Sequence, residues 1–180
     1  MPEVAIPDPS LVVLIGAAGA GKTTFASRQF DPTEILSSDA YRALIAGDEA
    51  DQRVTRAAFG RLHRDLRSRL RSGRLTVVDA TNVEVMARRA LLRLAADAGV
   101  VAVAIVLDLP EPVVLARNAT RFGRVVDEAV VRRHLARLRG SAGGTAGDAE
   151  AALLAEGFTS VAIIRDAFEL DRVRVTRHPR

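Results

Sequence analysis

The 180-residue chain has no cysteine, a single lysine, three histidines and no apolar run long enough to span a bilayer. Without cysteine there is no disulfide scaffold, no thiolate zinc site and no cysteine nucleophile. Three scattered histidines make no metal cluster, so any metal must be held by oxygen ligands. The longest apolar stretches, such as Val100 to Leu107, fall well short of the ~18 residues a membrane helix requires. The opening Met1-Pro-Glu-Val-Ala-Ile-Pro-Asp-Pro9 has neither the basic region nor the long apolar region of a secretory signal. These absences predict a cytoplasmic protein with no membrane partner.

What is present describes a globular chain. Hydrophobic residues make up 48% and charged residues 27%, with 13 glycines and 7 prolines. That composition disfavours disorder, collagen-like repeats and coiled coils. The length predicts one domain over residues 1–180 with room for a small lid. A net charge of +4 is compatible with a polyanionic partner and is weak evidence for one. Nearly all the basic residues are arginine, which a compositional bias explains. That bias does not explain where the one lysine, Lys22, stands.

Short apolar runs alternate with helical patterns. Strands are predicted at Leu11–Ile15, Glu34–Ser37, Leu75–Asp79, Val101–Leu107, Val161–Arg165 and, more weakly, Val173–Thr176, after a proline-rich leader. One helix carries Phe59, Leu62, Leu66 and Leu70 on one face and stops at Gly73, and another runs from about Val83 to Ala98 before Gly99. Leu109-Pro-Glu-Pro112 opens a third with proline in its first turn, and Asp127–Arg139 repeats apolar residues up to Gly140. Ser141–Asp148 is glycine-rich and reads as a flexible linker from the lid back to the last helix. Alternation of this kind predicts an α/β fold, a mainly parallel sheet with helices on both faces.

Between the Leu11–Ile15 run and the following helix stands Gly16-Ala17-Ala18-Gly19-Ala20-Gly21-Lys22-Thr23, a full G-x-x-x-x-G-K-[ST] match in the context that motif requires. Glycines let backbone N–H groups curl inward around a phosphate, the helix N-terminus adds its dipole, Lys22 reaches the outer phosphates and the Thr23 hydroxyl serves Mg²⁺. Thr24 continues the helix beside them. A dinucleotide-binding pattern fails, since a G-x-G-x-x-G match from Gly19 needs glycine where Thr24 stands. ATP or another nucleoside triphosphate, with Mg²⁺ or Mn²⁺, is the expected cofactor set.

Phosphoryl transfer also needs an aligned acceptor, a group to take its proton and cations to hold the charge of the transferring phosphoryl. Ser37-Ser-Asp39-Ala-Tyr-Arg42 puts a carboxylate at the carboxyl edge of the sheet, where open α/β folds bind ligands. Asp39 is a candidate general base or a helix cap, and Arg42, one turn on, faces the same ligand or pairs with Asp39. Asp79, ending an apolar strand, is a candidate Mg²⁺ ligand with Thr23. Thr81 and Glu84 have the spacing of a capping box, and Asn82 is a cap or a ligand contact. Arg117, Arg121 and Arg124 stack like charges that cost a helix ~0.2–0.5 kcal/mol per pair, and no acid in that segment offsets them. They are candidate lid residues closing over nucleotide phosphates, or a solvated basic face. For the many arginines between Arg61 and Arg74 a solvated face is the simpler expectation. His63 and His134 lie beside apolar positions and are expected to pack.

The phosphate loop, Ser37-Ser-Asp39-x-x-Arg42, Asp48-Glu-Ala-Asp51-Gln, Val54-Thr-x-Ala-Ala-Phe59-x-x-Leu-His63, Leu75-Thr-Val-Val-Asp-Ala-Thr-Asn-Val83, Val103-Ala-Ile-Val-x-x-Leu-Pro-Glu111, Arg117-Asn-x-x-Arg121-x-x-Arg124 and Glu156-Gly-Phe158 together resemble the 5′-kinase module of bacterial polynucleotide kinase-phosphatase. The blocks run in the same order from about Pro7 to Thr176. The resemblance implies a P-loop kinase fold with a small helical, arginine-bearing lid over approximately residues 117–148. It also implies that Asp39 activates a polynucleotide 5′-hydroxyl, that Arg42 contacts the acceptor strand near its reacting end, and that Arg117 and Arg121 act on the donor phosphates. Family members continue into metallophosphatase and nucleotidyltransferase modules beyond the point matching Arg180. The expectation is thus a kinase acting on RNA or DNA 5′ ends, with phosphatase and ligase partners supplied by other chains or missing domains. The alternatives are a small-molecule kinase acting on an antibiotic or sugar hydroxyl, and a slow nucleotide-hydrolysing switch. The last lacks support, because a switch needs no carboxylate at position 39 and the lone lysine leaves no guanine-reading Asn-Lys-x-Asp motif.

Overall fold

A computed structural model describes residues 2–46, 55–121, 125–142 and 145–179. Arg124 and the 48–52 block lie outside the described residues. Five parallel strands form the main sheet: β2 (Leu11–Gly16), β3 (Ile35–Ser37), β4 (Thr76–Asp79), β5 (Ala102–Leu107) and β6 (Ser160–Ile164), in the order β3-β4-β2-β5-β6. β2, β4 and β5 are buried along their whole length, as expected of central parallel strands covered on both sides.

Alternation along these strands divides the core in two. Val12, Leu14, Val103 and Ile105 pack with α1 (Lys22–Gln29), α5 (Glu111–Ala119) and α6 (Glu128–Ala142), through Phe25, Val114 and Leu135. Leu11, Val13, Ala104 and Val106 face the opposite way, onto Leu62, Leu66 and Leu70 of α3 (Thr55–Arg71) and Leu91 and Leu94 of α4 (Val85–Asp97). From β2 the chain crosses outward to β3, returns through α2 (Ser38–Ala46) and α3 to β4, and then passes to the other side of β2. The crevice at the carboxyl end of β2 is therefore a topological switch point, the place where sheets of this type take ligands.

Several details differ from expectation. The proline-rich leader is a strand, β1 (Glu3–Asp8), pairing in parallel with β7 (Arg174–Pro179) as a separate two-stranded ribbon. Proline is tolerated there because a ribbon has edges. Gly140 does not stop α6, which runs to Ala142. The Ser141–Asp148 stretch is no linker at its described ends: α7 (Ala146–Glu156) starts behind a capping box in which Thr145 and Asp148 exchange hydrogen bonds.

The Thr81–Glu84 capping box does not form. The chain turns through a left-handed conformation at Asn82 (φ 48°), which asparagine tolerates. Glu84 is the N-cap of α4 with no side-chain cap bond. Asn82 is buried and donates from Nδ2 to the Leu14 carbonyl at 2.8 Å, tying the β4 exit to β2. Arg88, fully buried, holds the same turn. Its Nη1 donates to the carbonyls of Asn82 and Val83, while Nε and Nη2 grip Glu156 of α7. A bidentate buried pair of this kind fixes geometry, and here it fixes the loop leaving the central sheet toward the cleft.

Candidate active site

A cleft of about 650 Å³ opens over the carboxyl ends of β2, β3 and β4. The β2–α1 connection forms its floor. Gly19 and Gly21 take φ of 83° and 95°, conformations that residues with a Cβ rarely adopt. A Cβ at Gly19 would stand 2.7 Å from the Val114 carbonyl oxygen, so the loop packs directly on the backbone of α5. Ala18, Gly19, Gly21, Lys22, Thr23 and Thr24 line the cleft, and Gly16, Ala17 and Ala20 stand behind it. The Gly16 and Ala17 carbonyls accept from Lys22 Nζ at 2.9 and 2.7 Å.

Burial pushes the pKa of Lys22 down to about 8; Asp79 and Asp39 oppose the shift and Arg121 adds to it. An arriving polyanion reverses that balance. Thr23 Oγ1 donates to Asp79 Oδ2 at 2.8 Å, and burial raises the Asp79 carboxyl above the ordinary range against the pull of Lys22 and Thr23. A hydroxyl and a single carboxylate side by side suit Mg²⁺, which is held by one or two protein oxygens together with substrate phosphates. Among the described residues no group of three or more histidine, aspartate or glutamate side chains gathers.

The opposite wall carries the second carboxylate. β3 runs straight into α2, and Asp39 in the first turn directs Oδ1 to Arg42 Nη2 at 2.6 Å and Oδ2 to Arg121 Nη2 at 3.5 Å. Its oxygens are thus engaged by two arginines that also line the cleft. Nε and Nη1 of Arg42 are buried and have no hydrogen-bond partner among the described residues. Buried guanidinium donors left unmade are costly, so an acceptor atom there is stabilising.

Arg117, in the last turn of α5, lies against the phosphate loop, its Nη1 3.3 Å from the point a Cβ on Gly21 would occupy. Arg121 follows the helix end. Behind them the Asn118 amide closes the loop base, donating to the Val126 carbonyl at 2.7 Å and accepting from the Val126 N–H at 3.1 Å. Lys22, Thr23, Thr24, Asp39, Arg42, Asp79, Arg117 and Arg121 are accordingly brought to one cleft.

Further side chains line the cleft that sequence reasoning does not single out as site residues, among them Phe59 from α3, His134 from α6 and Arg28 from α1. Phe59 belongs to the apolar stripe and lies at its cleft end. His134 is half-buried, its pKa lowered by burial and by Lys22, Arg137 and Arg133. Arg28 ties α1 to α8 (Ala167–Arg172) through the Leu170 carbonyl at 2.7 Å. No local signal marks these as cleft residues, because their position depends on helices packing from distant parts of the chain.

Sheet order, phosphate loop and flanking helices define a P-loop kinase fold. The sequence profile of the AAA domain family matches residues 11–142, and the chain belongs to that family. No curated protein matches it. Among solved structures, a chain in the structure of the Pnkp1/Rnl/Hen1 RNA repair complex is similar, with a TM-score of 0.64 and 19% identity, over 75% of this chain and 45% of that one. This chain thus spans less than half the length of that relative. A gluconokinase from Sinorhizobium meliloti 1021 (TM-score 0.53, 17% identity, 92% and 87% of the two chains) and a sugar kinase from Janibacter sp. HTCC2649 (0.53, 19%, 87% and 85%) are also similar. At such identities the likeness is one of fold. No helix among the described residues is long and apolar enough to cross a membrane.

Proposed function

We propose that the protein is an ATP-dependent kinase that transfers a phosphoryl group to the 5′-hydroxyl end of a polynucleotide. The observation that carries this reading is the Asp39 carboxylate, held between Arg42 and Arg121 across the cleft from Lys22 and Thr23. A kinase needs a proton acceptor on one side of the transferring group and cations on the other, and the cleft supplies both.

In this reading Lys22 exchanges its carbonyl partners for donor phosphate oxygens. Arg117 and Arg121 approach the same phosphates from α5 and the segment after it. Asp39 accepts the proton of the attacking hydroxyl, and the arginines beside it hold its oxygens in place. Thr23 and Asp79 would hold Mg²⁺, which when bound neutralises charge on the donor phosphates. Arg42, with two buried donors unmade, suits an anionic group next to the reacting hydroxyl, such as the first phosphate of a strand. A neutral sugar offers no such group.

Likeness to a chain of an RNA repair complex supports a nucleic-acid acceptor and a place in a repair assembly, and the proposal extends to ligase or phosphatase partners on other chains. Sugar kinases matching most of their own length support the second reading, a small hydroxyl acceptor. Incubation with labelled ATP and a panel of oligonucleotides, nucleosides and sugars tests the choice. Label on oligonucleotide 5′ ends that rises when a phosphate is present 3′ to the reacting nucleoside is expected. Equal labelling of a sugar or a free nucleoside overturns the polynucleotide reading.

A further inference from the structure

We propose that the outer face of α3 is a track for the sugar-phosphate backbone of single-stranded nucleic acid leading away from the cleft. The substrate class rests on the kinase reading above; the track itself rests on the helix. α3 holds six arginines and one acid. At 100° per residue, Arg56, Arg64, Arg67 and Arg71 fall within about 80° of one another, turned away from the buried stripe of Leu62, Leu66 and Leu70. All four are exposed, and none has a carboxylate partner among the described residues. The one acid, Asp65, accepts a hydrogen bond from Tyr41 Oη at 2.6 Å.

Some arginines elsewhere on the surface are paired, and others, such as Arg89, Arg93 and Arg133, are exposed without a carboxylate partner among the described residues, but those do not gather into a row of four on one helix face. Arg28, Arg132 and Arg177 pair with Asp171, with Glu111 and Glu128, and with Glu34. Compositional bias toward arginine accounts for their number, and what sets α3 apart is their alignment on one exposed face. Like charges one turn apart along the α3 face repel and destabilise the helix, a cost that a row of phosphates reverses.

Position supports the same partner. Phe59, in the second turn of α3, lines the cleft together with Asp39 and Arg42, so the N-terminal part of the helix that carries the basic face stands at the acceptor wall. From Arg56 to Arg71 it extends about 22 Å at ~1.5 Å per residue, a reach suited to several nucleotides. An anionic membrane is a poorer fit, because interfacial helices need an exposed apolar face and that of α3 is buried in the core.

The test compares wild type with the triple variant R64Q/R67Q/R71Q, after melts establish that both are folded. Binding of a fluorescent dinucleotide and of a long single-stranded oligonucleotide is read by anisotropy across a salt series. Transfer from ATP to both acceptors is read separately. The variant is expected to lose about ten-fold or more in affinity for the long strand at low salt, with its salt slope smaller by about 0.7 for each phosphate contact removed. Binding of the dinucleotide and transfer to it stay unchanged. Equal affinity of both proteins for the long strand overturns the track, as does tighter binding to phosphatidylserine vesicles than to the strand. Strand binding that depends on the three arginines, in a protein that phosphorylates only small hydroxyl compounds, overturns the kinase reading and leaves the track standing.

Discussion

The two walls of the cleft are made by different means. The donor wall is built on backbone: a continuous loop, two glycines in left-handed conformations and one lysine satisfied by carbonyls of its own loop, with Thr23, Asp79 and Arg117 set against it. The acceptor wall is a set of side chains, mostly ionic, brought from α2 and α3, and Arg121 from the segment after α5 bridges the two walls through Asp39. A backbone cradle recognises any phosphate, whereas side chains from separate helices can be exchanged one at a time. Such a division lets one fold serve different acceptors, and under the proposed reading acceptor choice lies in α2 and α3.

The contrast is broken most severely from the donor wall. Lys22→Ala is expected to abolish transfer while leaving the melting temperature close to wild type, since the lysine bonds only its own loop. Retained turnover in the folded variant means that another cation holds the phosphates. Asp39→Asn comes next, lowering kcat by about 10²–10⁴-fold with nucleotide affinity unchanged in a direct titration. A loss of nucleotide binding instead moves Asp39 to the donor side.

Arg117→Lys and Arg121→Lys each forfeit one charged hydrogen bond of a planar fork, worth about 1.5–3 kcal/mol, and should slow turnover some ten- to a hundred-fold. Gly19→Ala tests the backbone character of the donor wall. Strain at positive φ, added to the approach to Val114, should cost about 1–3 kcal/mol in chemical denaturation. Gly99→Ala, whose new Cβ would meet open space at a positive φ, isolates the strain alone.

The smallest effect belongs to His63 on the acceptor side. Burial, helped by Arg67, lowers its pKa below the ordinary histidine value, so the folded state binds fewer protons than the unfolded one as pH falls through that value. Stability is therefore lost on acidification from neutral pH, and His63→Gln should flatten the slope of unfolding free energy between about pH 7 and 5. An unchanged slope places the histidine in water.

Legibility in the sequence follows the same division. The phosphate loop and strands β2, β4 and β5 are local signals, a continuous motif and continuous apolar runs, and both are found where expected. Asp39 and Arg42, one helical turn apart, are legible as a pair, although the sequence leaves open a capping role that the arginine contacts replace. β1 escapes a local reading because a strand with proline at its end is recognisable only through β7, at the opposite end of the chain. The roles of Asn82 and Arg88 are hidden for a related reason: their partners, Leu14 and Glu156, lie on other strands and helices. Glycines at 140, 143 and 144 suggest a linker, and the short-range exchange between Thr145 and Asp148 outweighs that composition at the start of α7.

A single lysine also makes the cleft its own reporter. Any reagent that acylates side-chain amines has one target in this sequence, and a pKa of about 8 gives Lys22 a larger unprotonated, reactive fraction at neutral pH than an ordinary lysine has. The α-amino terminus also reacts but lies on another peptide, so a mass increment on the peptide that carries Lys22 counts molecules whose phosphate loop is blocked. Bound nucleotide protects the Lys22 amine. Occupancy by donors or inhibitors can then be titrated by mass spectrometry alone, without an acceptor and without turnover.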